Sequence, residues 1–185
     1  MARTDTDRIY EALLLTLARD GDVRAGERLA ARWYPRLLTT ARRLLRDDDQ
    51  AREAVQDAWA GICRGWIGLR DAERFAAWAY GILRRKCADR IRQNVKDRAR
   101  HASASHLAGL TGMPVDGAEL CDIERAFDDL PEAQRLCALF YFAEGLSLRE
   151  TAAAVGVPLG TAKSRIFHAR KALQAHLKGD DDESV

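Results

Sequence analysis

Ser147-Leu148-Arg149-Glu150-Thr151-Ala152-Ala153-Ala154-Val155-Gly156-Val157-Pro158-Leu159-Gly160-Thr161-Ala162-Lys163-Ser164-Arg165-Ile166-Phe167-His168-Ala169-Arg170-Lys171-Ala172-Leu173 is the stretch that decides the fold. It opens on a capping box. The Ser147 hydroxyl can accept from the Glu150 amide while the Glu150 carboxylate reaches back to the Ser147 amide. Leu148, Ala152 and Val155 then share one side of a helix. Gly156 can end that helix, because glycine adopts the left-handed conformation of a helix C-terminus without strain. Pro158 follows, where a second helix can start. The pattern predicts that this second helix runs from Thr161 to Leu177. Two helices joined by a turn of about four residues have helix-turn-helix spacing.

The second helix divides cleanly on a wheel of about 100° per residue. Ala162, Ile166, Ala169, Leu173 and Leu177 form one narrow apolar stripe that must pack on preceding helices. Lys163, Ser164, Phe167, His168 and Lys171 collect on the opposite face. An aromatic ring among cations and hydroxyls near a helix N-terminus suits a DNA major groove. Cations meet phosphates, Ser and His reach base edges, and Phe contacts a thymine methyl. Taken alone, the same face also fits an ordinary amphipathic helix with a wet side.

The rest of the chain is consistent with an all-α protein. Its 185 residues are 47% hydrophobic and 31% charged, which excludes a disordered chain. Helix formers dominate and alternating β-branched runs are absent, so no sheet is expected. From Asp7 to about Val95 apolar residues recur at helical spacing. Breaks fall at Asp20-Gly21-Asp22 and at Arg46-Asp47-Asp48-Asp49. A longer one spans Gly61 to Asp71, whose glycines 61, 65 and 68 suggest a loop. No uncharged stretch, Thr151 to Ala162 among them, reaches the ~20 apolar residues of a membrane span, and no secretory signal is evident. Cys63, Cys87, Cys121 and Cys137 form no Cys-x-x-Cys pair and point to a reduced cytosolic protein with part-buried thiols.

Residues 97–119 are small, polar and rich in breakers, and read as a flexible linker. They separate an N-terminal domain, 1–96, from a C-terminal domain, 120–178, which is followed by an acidic tail, 179–185. Charge segregates along this plan. Arg84 to Arg100 holds eight basic residues against Asp89 and Asp97, and Thr161 to Lys178 holds five with no acid. His101 to Glu132 reverses the balance, with seven acids against Arg125 alone. One basic block in each half suggests two separate contacts with a polyanion.

Three segments of the C-terminal half together resemble region 4 of bacterial RNA polymerase sigma factors, in particular the two-domain extracytoplasmic-function group. They are Leu130-Pro131-Glu132-Ala133-Gln134-Arg135, Tyr141-Phe142-Ala143-Glu144-Gly145-Leu146-Ser147 and Gly160 to Leu173. The N-terminal half tests that resemblance. Gly21-Asp22-Val23-Arg24-Ala25, Trp33 to Leu38 and Ala41 to Leu45 are similar to the opening helices of sigma region 2. Ala51 to Trp59 resembles the acidic segment that docks on the polymerase β′ clamp helices. Arg74 to Arg92 resembles the helix that recognises and melts the −10 element.

The resemblance implies two helical domains with three sets of contact residues. Thr161, Lys163, Ser164, Arg165, Phe167, His168 and Lys171 would face the −35 element. Arg64, Trp66, Arg70, Tyr80, Arg84, Arg85, Lys86, Arg90 and Arg92 would serve the −10 element, with Phe75, Trp78, Ala79 and Ile82 anchoring their helix. Trp66 could stack on a base, although a tryptophan at a helix–loop junction is more often core. Glu53, Gln56, Asp57 and Trp59 would contact polymerase. The implied partners are core RNA polymerase, through its β′ clamp and β flap, promoter DNA and an anti-sigma factor. No cofactor or metal is implied. Arg52 stands where the family often has the first of two acids, Arg85 where it often has Asn, and His168 where many members have Arg.

Two other readings compete with this one. A free-standing homodimeric helix-turn-helix regulator explains the C-terminal half equally well, but not the clamp-like and −10-like segments. An enzyme is disfavoured because the chain holds no Gly-x-Gly-x-x-Gly, phosphate loop, His-Glu-x-x-His or Gly-x-Ser-x-Gly. His101 and His106 lie in the linker without a neighbouring ligand cluster of metal-site spacing.

Overall fold

The computed structural model describes residues 4–101 and 125–179. Most of the predicted linker, His106, Cys121 and the acidic residues 180–185 lie outside them. So do the side chains of His101, Leu177 and Lys178. Among the described residues the chain is all helix and turn, divided into two compact units.

The N-terminal unit holds α1 (Asp5–Arg19), α2 (Val23–Leu45), α3 (Asp48–Gly65) and α4 (Phe75–His101). Side-chain acceptors start the first three. Thr4 and Asp7 form a capping box on α1, Asp22 accepts from the Ala25 amide, and Asp47 accepts from the Gln50 amide. The Thr4 amide and hydroxyl hold the Asp7 carboxyl down at about 2. The breaks at Asp20–Asp22 and Arg46–Asp47 fall where expected. Gly21 takes φ +97° in the first.

The core is built around Trp33, fully buried on α2. Its ring meets Phe75 edge-on at 5.0 Å and Tyr80 at 5.6 Å, both from α4. Leu15, Leu29, Leu37, Val55, Ile62 and Leu83 complete it. The apolar contacts of α1 are reinforced by charge. Glu11, only 2% exposed, accepts from Arg32 and Arg36 of α2, each at 3.0 Å. A carboxylate so placed is held by its two guanidinium partners rather than by water.

Three expectations are corrected here. Gly61 and Gly65 are not in a loop, because α3 runs through Gly65 and only short 3₁₀ turns, Trp66–Gly68 and Ala72–Arg74, separate it from α4. These two glycines make room for α4. A Cβ at Gly61 would lie 3.6 Å from Ile82, and one at Gly65 would lie 2.7 Å from the Trp78 ring. The helix α4 also continues through residues 97–101, the start of the predicted linker. Residues 93–101 contain neither glycine nor proline to stop it. Finally, burial on α4 is not confined to a stripe. Phe75 to Ala77 and Ala79 to Leu83 are all buried, leaving only Trp78 half-exposed in that stretch.

The C-terminal unit holds a helical turn over 125–128, then α5 (Glu132–Ala138), α6 (Leu148–Val155) and α7 (Leu159–Gly179). A π-helical turn, Leu139–Ala143, continues α5. It turns Phe140 into the core and leaves Phe142 partly exposed beneath the Arg170 guanidinium, 5.5 Å from the ring centre. The Ser147–Glu150 capping box forms as the sequence predicts, and Gly156 ends α6 at φ +75°. Helix α7 starts at Leu159, two residues earlier than predicted. The Pro158 carbonyl accepts from the Ala162 amide at 3.0 Å, so proline sits just ahead of the first turn.

The Thr151 hydroxyl on α6 is fully buried and makes no hydrogen bond. A buried hydroxyl without a partner is destabilising. Thr151→Val keeps the shape and removes that cost. It is expected to raise unfolding stability by about 1 kcal/mol in a denaturant titration; a loss of stability would show that the hydroxyl has a partner in solution.

Candidate nucleic-acid interface

The apolar stripe of α7 packs as the wheel requires. Ala162, Ile166 and Ala169 are buried, and Ala169 joins Leu130 and Ala138 in a cluster flanked by Phe127, Ala172 and Leu173. The opposite face is solvent-exposed along its length. Lys163, Ser164, Phe167, His168 and Lys171 all lie on it, and Phe167 is 64% exposed with its ring 5.5 Å from the His168 ring. Thr161 is half-buried beside this face.

Arg165 departs from the prediction. It is half-buried and its guanidinium donates to the Cys137 sulfur, so it is turned toward the domain interior. On the wheel it stands about 80° from the centre of the stripe, on its flank.

The −10 candidates separate into three groups. Arg64, Arg70 and Arg85 are exposed, and Arg84 and Lys86 are half-buried. Arg92 is exposed but paired within its helix to Asp89, and Arg90 reaches across to α3. Tyr80 is corrected outright: it is 1% exposed and packs on Trp33, so it cannot meet DNA without unfolding the core.

Trp66 also behaves as packing. Its ring lies edge-on to Trp59 at 6.4 Å, and a Cβ on Gly26 of α2 would come within 3.4 Å of it. Trp59 and Trp66, assigned to different partners by the resemblance, line one open groove of about 400 Å³ together with Gly26, Ala30 and Cys63.

Of the polymerase candidates, Glu53, Gln56 and Asp57 are exposed on α3 and Trp59 is half-buried. Arg52 is held by Asp48 one turn earlier, and Asp48 also accepts from Arg42 of α2. These two guanidinium groups hold the Asp48 carboxyl below the usual carboxylate range. Sequence reasoning missed this network, and also the clasp of Arg90 on Glu53 and Asp57. The i,i+4 spacing of the two acids was visible; their partner on another helix was not.

The three described cysteines carry no chemistry suited to the interface. Cys87 and Cys137 are buried, Cys63 is half-buried, and all three are free thiols. Burial pushes the Cys87 thiol up to about 12. No helix among the described residues is long and apolar enough to cross a membrane.

Comparison with known proteins agrees with this geometry. Residues 29–97 match the family model "Sigma-70 region 2" and residues 122–173 match "Sigma-70, region 4". The ECF RNA polymerase sigma factor SigM of Mycobacterium tuberculosis is 31% identical over 91% of this chain and 85% of its own. SigF of Caulobacter vibrioides, also an ECF RNA polymerase sigma factor, is 29% identical over 96% and 99%. Among solved structures, the sigma factor RpoE of Bartonella quintana, in complex with the anti-sigma factor NepR, superposes with a TM-score of 0.70 at 25% identity, covering 84% of this chain and 98% of that one. CnrH, in complex with the cytosolic domain of CnrY, gives 0.66 at 25% identity over 92% and 99%. With region 2 and region 4 in order on two separate helical units, and relatives aligned along nearly the whole chain, the protein belongs to the ECF group of the sigma-70 family, the factors that direct RNA polymerase to promoters.

Proposed function

We propose that the outer face of α7 reads the −35 element through Lys163, Ser164, Phe167, His168 and Lys171. In this reading Arg85, with Arg84, Lys86, Arg64 and Arg70, meets the −10 element, and Glu53, Gln56 and Asp57 dock on the β′ clamp. The functional domains are then 1–96 and 120–178. The observation that carries the proposal is the exposed face of α7. Its five polar, cationic and aromatic side chains stand opposite a buried stripe, with none of them used to hold the fold.

The partners follow from the same reading. Core polymerase binds both domains, the second through its β flap, and carries out the chemistry, so this chain needs no catalytic group or cofactor. It acts where the polymerase is, in the cytoplasm. Anti-sigma partners of the relatives support a similar inhibitor here. The free-standing dimeric regulator is not favoured, because it leaves the region 2 segment without a role.

Two substitutions test the −35 assignment. Lys163→Ala is expected to weaken binding across promoter sequences and to lower the salt slope by about one unit, the signature of one lost phosphate contact. Ser164→Ala is expected to cost about 1 kcal/mol at a single base position. An unchanged salt slope for the first, or a flat base preference for the second, contradicts the assignment.

A further inference from the structure

The most unexpected contact in the N-terminal domain joins two groups that the family resemblance sends to different partners. Arg90 of α4 donates from one guanidinium nitrogen to Glu53 and from the other to Asp57, the latter at 3.0 Å. Glu53 and Asp57 are one helical turn apart on α3, so a single planar fork spans both carboxylates. One turn further along α4, Asn94 donates to Gln50 on the same side of α3. The clasp is not sealed from solvent. The Arg90 side chain is 33% exposed, and those of Glu53 and Asp57 are 58% and 50% exposed. An incoming macromolecule can therefore reach every member.

This arrangement sets up a competition. A cationic surface docking on Glu53 and Asp57 must take them from Arg90. A phosphate arriving at the basic side of α4 can use Arg90 only once the carboxylates release it. Binding of either partner then removes the obstacle to the other, and the coupling is reciprocal. We propose that Arg90 is a positioning residue that couples the two contacts: it stays on Glu53 and Asp57 in the free protein and passes to a DNA phosphate when polymerase takes those acids. The inference rests on the assignment of Glu53 and Asp57 to polymerase and deepens it. The isolated chain is thereby held below its full affinity for DNA.

The test is a cycle on the full chain without polymerase, read by fluorescence anisotropy with a labelled single-stranded oligodeoxynucleotide of about twelve nucleotides and mixed sequence. The variants are Glu53→Gln with Asp57→Asn, Arg90→Gln, and all three together, each checked for an unchanged melting temperature. Neutralising the two acids is expected to tighten binding about three- to five-fold, in keeping with an exposed ion pair, and to steepen the salt slope by about 0.7. Adding Arg90→Gln is expected to abolish both gains. If the gain persists without Arg90, it reflects only the loss of negative charge and the clasp is refuted. Absence of any gain refutes it as well. Titration of the Glu53→Gln, Asp57→Asn variant against core polymerase reads the underlying assignment separately: weakened binding supports the transfer, whereas wild-type binding refutes the docking role of these acids and the transfer with it.

Discussion

Trp33→Ala is expected to cost the N-terminal domain about 3–5 kcal/mol, the range for emptying a fully buried aromatic site. A domain of this size is stable by only about 5–10 kcal/mol, so roughly half of its margin would be lost. The magnitude follows from where the ring sits. Trp33 is inaccessible to solvent, lies edge-on to Phe75 and Tyr80, and carries the Arg36 guanidinium 5.7 Å from its ring centre. No neighbouring element can collapse into the space without dragging α2 toward α4. Guanidinium unfolding followed by circular dichroism should show a lower midpoint at unchanged slope. A loss under about 1 kcal/mol would mean that the α2–α4 packing is not the core of the domain.

Gly65→Val is the second large effect. A Cβ at this position would come within 2.7 Å of the Trp78 ring, well inside any ordinary contact, and valine adds two further carbons on a helix that crosses α4 closely. Overpacking of this kind costs about 1–3 kcal/mol. Gly68 is the control. Nothing lies within 4 Å of a Cβ there and its backbone is not left-handed, so Gly68→Ala should be neutral or slightly stabilising. Melting temperatures of the two variants decide between a packing role and a loop role for these glycines. Similar small shifts for both would restore the loop reading of Gly61 to Asp71.

That pair of glycines also shows which parts of the structure could be read in advance. The helix-turn-helix was legible because its signals are local. A capping box, a left-handed glycine and a proline are each decided within a few residues, and the wheel of α7 separates buried from exposed side chains correctly. Arg165 and Lys163 stand at equal angles on either flank of that wheel, and only the position of Cys137 turns Arg165 inward while Lys163 stays exposed.

The misreadings in the N-terminal domain depend on neighbours distant in sequence. Gly61 and Gly65 look like loop residues until Ile82 and Trp78 are placed against them. Trp66, at a helix–loop junction where packing is the commoner fate, lies edge-on to Trp59 and faces Gly26. Tyr80 is different, because its burial did have a signal. Phe75 to Leu83 contains no charged residue, and a helix apolar all round is buried all round. The Arg90 clasp had no sequence signal beyond the spacing of its two acids.

As a sigma factor, this chain is expected to join the polymerase as one copy per core enzyme. Co-elution of the purified full chain with core bacterial RNA polymerase on a sizing column tests it most directly. Stoichiometric co-elution in a complex of one copy per core enzyme is the predicted result. Failure to join the polymerase peak, with the chain running instead as a dimer that binds a palindromic site, would contradict it.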